Sequence, residues 1–280
     1  MDIGSVPGNG PQGRISREDV KAYTKQRMQQ PGPSTRGYEL PDFSQWGTTR
    51  REPMSQVRRI TAENTVQSWT TVPHVTQFDE IDVTAVEEFR HSYQKLADKH
   101  GAKLTITSVL TKIAAEALGR FPRFNASLDI EEHEIIYKDY IHISVAVDTD
   151  RGLLVPVIRD VDTKGIIQIA AELGDLAERA RSKKIKPEEL SGGNFSISNL
   201  GGIGGTHFTP VIFPPQVAIL GVGRAATKPI YRDGALEPRL IAPVALSYDH
   251  RLIDGADGAR FIRFITQALE TPMAIFLEES

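Results

Sequence analysis

Two short stretches hold side chains whose types suit proton and acyl transfer. SYDHRLIDGADG, residues 247–258, sets His250 among charged neighbours, with Asp254 and Gly255 four and five places further on. It falls where a long apolar run ends, and strand ends are where scaffolds present reactive groups. An imidazole titrates near ~6.5, so at neutral pH it can take a proton from a hydroxyl or thiol and return it later. Asp254 is close enough in sequence to fix the loop through Arg251 or backbone groups, and Gly255 gives the freedom of a tight turn into the final helix. Spacing alone leaves a second reading open, a surface loop whose histidine is simply hydrogen-bonded.

The other stretch is GGNFSISNLGGIGGTHFTP, residues 192–210, a short alternating strand followed by a loop with four glycines in five residues. Ser198, at the strand end, can donate a hydrogen bond to a developing oxyanion, and glycines let backbone approach a ligand closely. The same glycines can equally serve turns alone. No Gly-Lys-Ser/Thr follows, so the loop is not a P-loop. QVAILGVGRAA imitates a dinucleotide fingerprint at Gly221, Gly223 and Ala226, but the fingerprint needs a helix to open there. Pro229 and Asp233-Gly234 announce strand and hairpin instead. The remaining histidines, at 74, 91, 100, 133, 142 and 207, show no paired ligand spacing, so no metal site is expected. His74 and His142 are placed to line a cleft, with a structural role as their default.

The elements that must position these groups follow from periodicity. Helices are predicted over Pro53 to Thr70, through Val86, Phe89, Tyr93 and Leu96, and through Val109, Ile113, Ala117 and Leu118 until Phe121-Pro122 stops the run. Another runs from about Gly165 to Ser182, and a last one carries Ala259, Ile262, Ile265 and Leu269. HVTQFDEIDV reads as a strand. Ile141, Ile143, Val145 and Val147 alternate with polar or small neighbours, which predicts one strand, a turn at Asp150-Arg151-Gly152 and a second strand. NFSIS, QVAILGV and PRLIAPVALSY add further strands, with a hairpin at Asp233-Gly234. The outline is α/β, a two-layer mixed sheet covered by helices on one side.

The chain has 280 residues, 40% apolar and 25% charged, with a net charge of -3 and no cysteine. That composition fits a globular protein with a sizeable core and excludes disulfides, thiolate metal sites and a cysteine nucleophile. Lysine and arginine are scattered, so nucleic acid is not an expected partner. No stretch approaches ~18 apolar residues and the amino end lacks a signal-peptide pattern, so neither membrane insertion nor secretion is expected. A cytoplasmic or organelle-matrix location follows. Residues 1–30 hold a Gly/Pro turn, a possible Ser16 N-cap and a short helix ending near Gln30, residues 31–49 read as a linker, and the main domain covers 50–280.

SYDHRLIDG, FSISNLGGIGGTHFTPVI and PPQVAILGVG together resemble the catalytic domain of the dihydrolipoamide acyltransferases, the core components of 2-oxo acid dehydrogenase complexes. FPRFNASLD, HISVAVDTDRGLLVPVIRD and ELSGGNFSISNLG are similar to that family in the same order, from about Pro53 to Glu278. VPGNGPQGRISREDVKAY resembles the second half of a peripheral subunit-binding domain, which makes residues 1–30 a partial, short helical remnant of one. The resemblance implies a chloramphenicol acetyltransferase-like fold, assembled as a homotrimer with the site between subunits and built into a larger cubic or dodecahedral core. It implies that His250 deprotonates the attacking thiol, that Ser198 stabilises the oxyanion, and that Asp254 holds site geometry with Arg251 or another arginine. Coenzyme A is then a substrate, with its contact residues unassigned, and the lipoyl group is carried on a domain outside this chain. The implied partners are lipoyl domains and the 2-oxo acid dehydrogenase and dihydrolipoamide dehydrogenase components. ISNLGGIGGTHFTP is most similar to the pyruvate-type members, which implies acetyl rather than branched-chain or other acyl groups.

Two rivals carry different expectations. A non-catalytic scaffold would keep the fold without the histidine, whereas His250, Asp254 and Ser198 are all present here. A free-standing acyltransferase acting on an antibiotic or a carrier-protein thiol would share the HxxxDG spacing and remain a bare trimer.

Overall fold

The computed structural model describes residues 40–150 and 152–271 and, before them, residues 8, 10, 15–17 and 19–21. Two compact units divide the chain, Met1–Pro53 and Met54–Ser280. In the first, Ser16 caps a helical turn as the sequence predicts: its hydroxyl accepts from the Asp19 N–H at 3.1 Å, and the Asp19 carboxylate accepts in return from the Ser16 N–H. The rest of the expected helix, to Gln30, lies outside the described residues, as do residues 31–39 of the 31–49 segment. A 3-10 turn at Phe43–Gln45 is capped by Asp42.

The second unit is a seven-stranded mixed sheet with helices. Five helices are observed: α1 (Gln56–Thr71), α2 (Thr84–Asp98), α3 (Ile106–Arg120), α4 (Ile166–Arg181) and α5 (Gly255–Glu270). Their ends follow local chemistry. Ser55 caps α1, Thr105 and Ser108 form a reciprocal capping box on α3, and Phe121-Pro122 ends α3 as predicted. The strands are β1 (His74–Asp82), β2 (Ala126–Asp129), β3 (Glu134–Tyr137), β4 (Ile143–Val145), β5 (Val147–Thr149), β6 (Gly152–Leu154), β7 (Val157–Ile158), β8 (Phe195–Asn199), β9 (Ala218–Val222), β10 (Ala226–Arg232) and β11 (Ala235–Asp249). The main sheet runs β1-β11-β9-β8-β4-β7, with β10 paired to the first half of β11.

One expectation is corrected. The alternation from Ile141 to Val147 predicts a single strand, but the chain changes sheets at Ala146: β4 joins the main sheet, while β5 pairs only with β6. The period of two survives the break because each piece buries its own apolar residues, so alternation alone cannot reveal it. The Ala146 N–H donates to the Ile197 carbonyl at 2.9 Å, which keeps the junction hydrogen-bonded.

The two faces of the sheet differ. Ile143, Val145, Phe195, Ile197, Leu220, Leu246 and Tyr248 point to one face and form a continuous core with α2 to α5, including Phe124 stacked on Phe261 at 4.0 Å. Burial of each such side chain stabilises by about 1.5–3 kcal/mol. The opposite face carries two rows fixed by strand register, Ser144-Ser196-Ile219-Ser247-Thr76 and Ser198-Gly221-Ala245-Phe78. The end of α1 adjoins this second face, where the Ser68 hydroxyl donates to the Ile212 carbonyl at 2.6 Å and Val72 packs with Ile212 and Ile219. Helices therefore do not all lie on one side.

Candidate active site

His250 is the first residue after β11, and main-chain bonds pin the turn that presents it. Its N–H donates to the Pro73 carbonyl at 3.1 Å, while the Asp249 carbonyl accepts from Leu252 and Ile253. The Asp249 carboxylate, 2% exposed, accepts from the Arg251 backbone N–H and from its guanidinium, at 2.6 Å to Nη2. That hydrogen bond raises the Arg251 pKa further and keeps both charges fixed. The imidazole itself is exposed and makes no hydrogen bond among the described residues, so both ring nitrogens are available.

Of the partners expected for Asp254, Arg251 is excluded within the chain. Arg251 is held by Asp249, and Asp254 forms no ion pair among the described residues; it is exposed at the N-cap of α5, without a side-chain capping bond. The turn supplies the reason: the Arg251 N–H donates back to Asp249 Oδ1 at 3.0 Å, which folds the guanidinium onto the same carboxylate. The carboxylate of Asp254 does reach Tyr248 electrostatically: burial, and after it the charge of Asp254, push the Tyr248 phenol up.

Ser198 sits at 8% exposure on the serine-rich face, its hydroxyl without a hydrogen bond among the described residues. Beside it, Asn199 Nδ2 donates to Thr107 Oγ1 at 2.9 Å and Asn199 Oδ1 accepts from the Gly201 N–H, which fixes the start of the glycine loop. A cleft of about 430 Å³ opens here, lined by Asn199, Gly201, Gly202, Arg90, Lys103, Arg224 and the first turn of α3. Two exposed cations and a helix N-terminus make it hospitable to a polyanion.

Within one chain, Ser198 and His250 do not meet. Ser198 is level with Gly221 and Ala245 two strands away, and His250 lies five residues beyond Ala245. At about 4.8 Å per strand and about 3.4 Å per residue, the separation is of the order of 20 Å.

The other candidates take structural roles. His74 Nδ1 donates to the Val72 carbonyl at 2.8 Å and Nε2 accepts from the Ile212 N–H at 3.0 Å, so both nitrogens are occupied. His142 Nδ1 accepts from the Asp160 N–H. Gly221 and Gly223 open no helix. They permit close packing instead, for a side chain at Gly221 would lie 2.7 Å from Phe208 Cζ and one at Gly223 2.2 Å from the Thr206 carbonyl.

A family model for the 2-oxoacid dehydrogenases acyltransferase catalytic domain matches residues 47–277. The chain belongs to this family. Curated relatives include the dihydrolipoyllysine-residue acetyltransferase components of the pyruvate dehydrogenase complexes of Pseudomonas aeruginosa, 44% identical over 96% of this chain and 51% of that protein, and of Azotobacter vinelandii, 44% identical over 99% and 45%. The chain thus spans about half the length of these relatives. A solved structure of the Azotobacter vinelandii dihydrolipoamide acetyltransferase, from a study of a serine, a histidine and an asparagine in its catalytic mechanism, aligns with TM-score 0.83 at 46% identity, covering 86% of this chain and 99% of that one. The cubic core of the pyruvate dehydrogenase multienzyme complex aligns equally well. As the sequence predicts, the family member folds as a mixed sheet with helices. No described helix is long and apolar enough to cross a membrane.

Proposed function

We propose that this chain transfers an acetyl group between dihydrolipoamide and coenzyme A, with His250 as the base and Ser198 as the oxyanion donor. One observation carries the reading. The serine and histidine of the Azotobacter acetyltransferase are separated by 52 residues, and its asparagine lies 4 beyond the histidine; Ser198, His250 and Asp254 stand at the same intervals here.

In the forward direction His250 accepts the proton of the attacking thiol, which needs only a neutral imidazole to become a good nucleophile. The thiolate adds to the thioester carbonyl, and Ser198 donates its hydrogen bond to the oxygen as it becomes negative. Such a donor in a water-poor site contributes about 3–4 kcal/mol. His250 then returns the proton to the departing thiolate. The cleft beside Asn199, with Lys103 and Arg224 exposed in its lining, suits the phosphates of coenzyme A.

The distance between Ser198 and His250 gives the site its architecture: two copies share it, each supplying one of the two residues, in a trimer that extends into a larger core. Lipoyl domains deliver the second thiol, and residues 1–30 belong to a module that docks the dehydrogenase components. A cytoplasmic or matrix location fits these partners. Transfer of acetyl from acetyl-CoA to free dihydrolipoamide tests the reading, with succinyl-CoA and isobutyryl-CoA in parallel. Fast transfer confined to acetyl and nearly lost in His250→Ala is expected; equal rates in the two proteins would leave the scaffold alternative standing.

A further inference from the structure

We infer that His74 is a positioning residue, its ring setting the backbone on which His250 is presented; the inference rests on His250 as the base. His74 opens β1 and is the register partner of Asp249, the last residue of β11. The ring joins main-chain groups of two buried residues, since Nδ1 donates to the Val72 carbonyl at 2.8 Å and Nε2 accepts from the Ile212 N–H at 3.0 Å. Neither group is paired with another main-chain group among the described residues. The assembly around the ring is itself held: Trp69 flanks the imidazole at 5.7 Å between centroids, and the Ser68 hydroxyl donates to the Ile212 carbonyl at 2.6 Å.

The route from this ring to the base is two carbonyls long. The Val72 carbonyl accepts from the imidazole, and the next carbonyl, that of Pro73, accepts from the His250 N–H at 3.1 Å. Proline fixes its own φ, so with the Val72-Pro73 peptide plane held, a single torsion remains to aim the Pro73 carbonyl. The other side of the turn is fastened to the same stretch that the imidazole grips. There the Asp249 N–H donates to the Val217 carbonyl at 2.8 Å, five residues after Ile212. His250 is thus carried by a turn tied at both sides to residues 212–217, and on one side the tie is a side chain. A base misplaced by about 1 Å loses on the order of 10²-fold in rate, so this tie bears on catalysis without touching substrate.

The test measures kcat and KM for acetyl-CoA with dihydrolipoamide as acceptor, beside the unfolding temperature, in the full chain and its His74→Asn, His74→Gln and His74→Leu variants. The asparagine amide puts an N–H close to the place of Nδ1 and keeps the Val72 bond; the glutamine oxygen replaces Nε2 and keeps the Ile212 bond. His74→Leu should lower kcat by about tenfold to a hundredfold with KM for acetyl-CoA unchanged, because the cleft beside Asn199 is untouched. His74→Asn should recover most of that kcat, and His74→Gln should recover the unfolding temperature without the rate. A histidine with a purely structural role would move the unfolding temperature alone, so wild-type kcat in a folded His74→Leu would overturn the inference. Equal kcat in His74→Asn and His74→Gln would also overturn it, a comparison that stands even where the leucine variant fails to fold. Absence of acetyl transfer in wild type, or its persistence in His250→Ala, would instead overturn the function on which it rests.

Discussion

His250 and Ser198 belong to one sheet, yet their surroundings differ in ways that bear on chemistry. His250 is exposed on a turn that an ion pair and main-chain hydrogen bonds hold from beneath, with its ring nitrogens free. Ser198 is buried on a face shared with Gly221 and Ala245, where the Phe208 ring packs onto Gly221. On the proposed roles, the proton carrier is thus held out toward another surface and the oxyanion donor lies in a recess. What the difference teaches is that neither half is positioned to work with the other in the same chain.

The strongest way to break this comparison is to remove each half separately. His250→Ala should lower acetyl transfer by about 10²–10⁴-fold, the range for a general base. Equimolar refolding of that variant with Ser198→Ala should restore activity, up to about a quarter of wild type if two chain types mix at random in closed rings. No recovery in verified mixed oligomers would mean that one chain supplies both groups. Ser198→Ala alone should cost about 10²–10³-fold in kcat with little change in KM, as expected of a bond made chiefly in the transition state.

A smaller effect sharpens the contrast in how the halves are held. Asp249→Asn leaves the Arg251 guanidinium without its carboxylate, which should destabilise by about 2–3 kcal/mol, short of the value for a fully buried pair because Arg251 is a third exposed. It should also lower kcat by about tenfold to a hundredfold through misplacement of His250. Thermal unfolding read beside kcat separates the two consequences, and unchanged kcat in a destabilised protein would make the pair purely structural. Asp254→Asn should matter least, changing kcat/KM by less than about fivefold, since no ion pair is lost. A hundredfold loss would show that its charge is needed.

Much of this was legible in the sequence, and the limits have physical causes. Helices α2 to α5 and the long strands announced themselves because their apolar residues keep a single period against one core, whereas α1 buries only Ser68 and was marked by its capped first turn. The β2–β3 hairpin did not: EIIY in β3 is exposed at every position, so burial imposes no alternation on it. Ser198 and His250 were readable as polar groups at strand ends. Asp249 was overlooked beside Asp254, although its spacing of two from Arg251 was the available signal.

The gap of two strands and five residues between Ser198 and His250 also bears on the life of the chain before assembly. On the proposed roles, a lone chain would meet acetyl-CoA with an oxyanion donor lacking a base and a base lacking an oxyanion donor. Idle hydrolysis of thioesters would then be suppressed until copies associate, and at high dilution the rate per chain would fall with concentration. Turnover in this architecture reports completed assembly as well as chemistry.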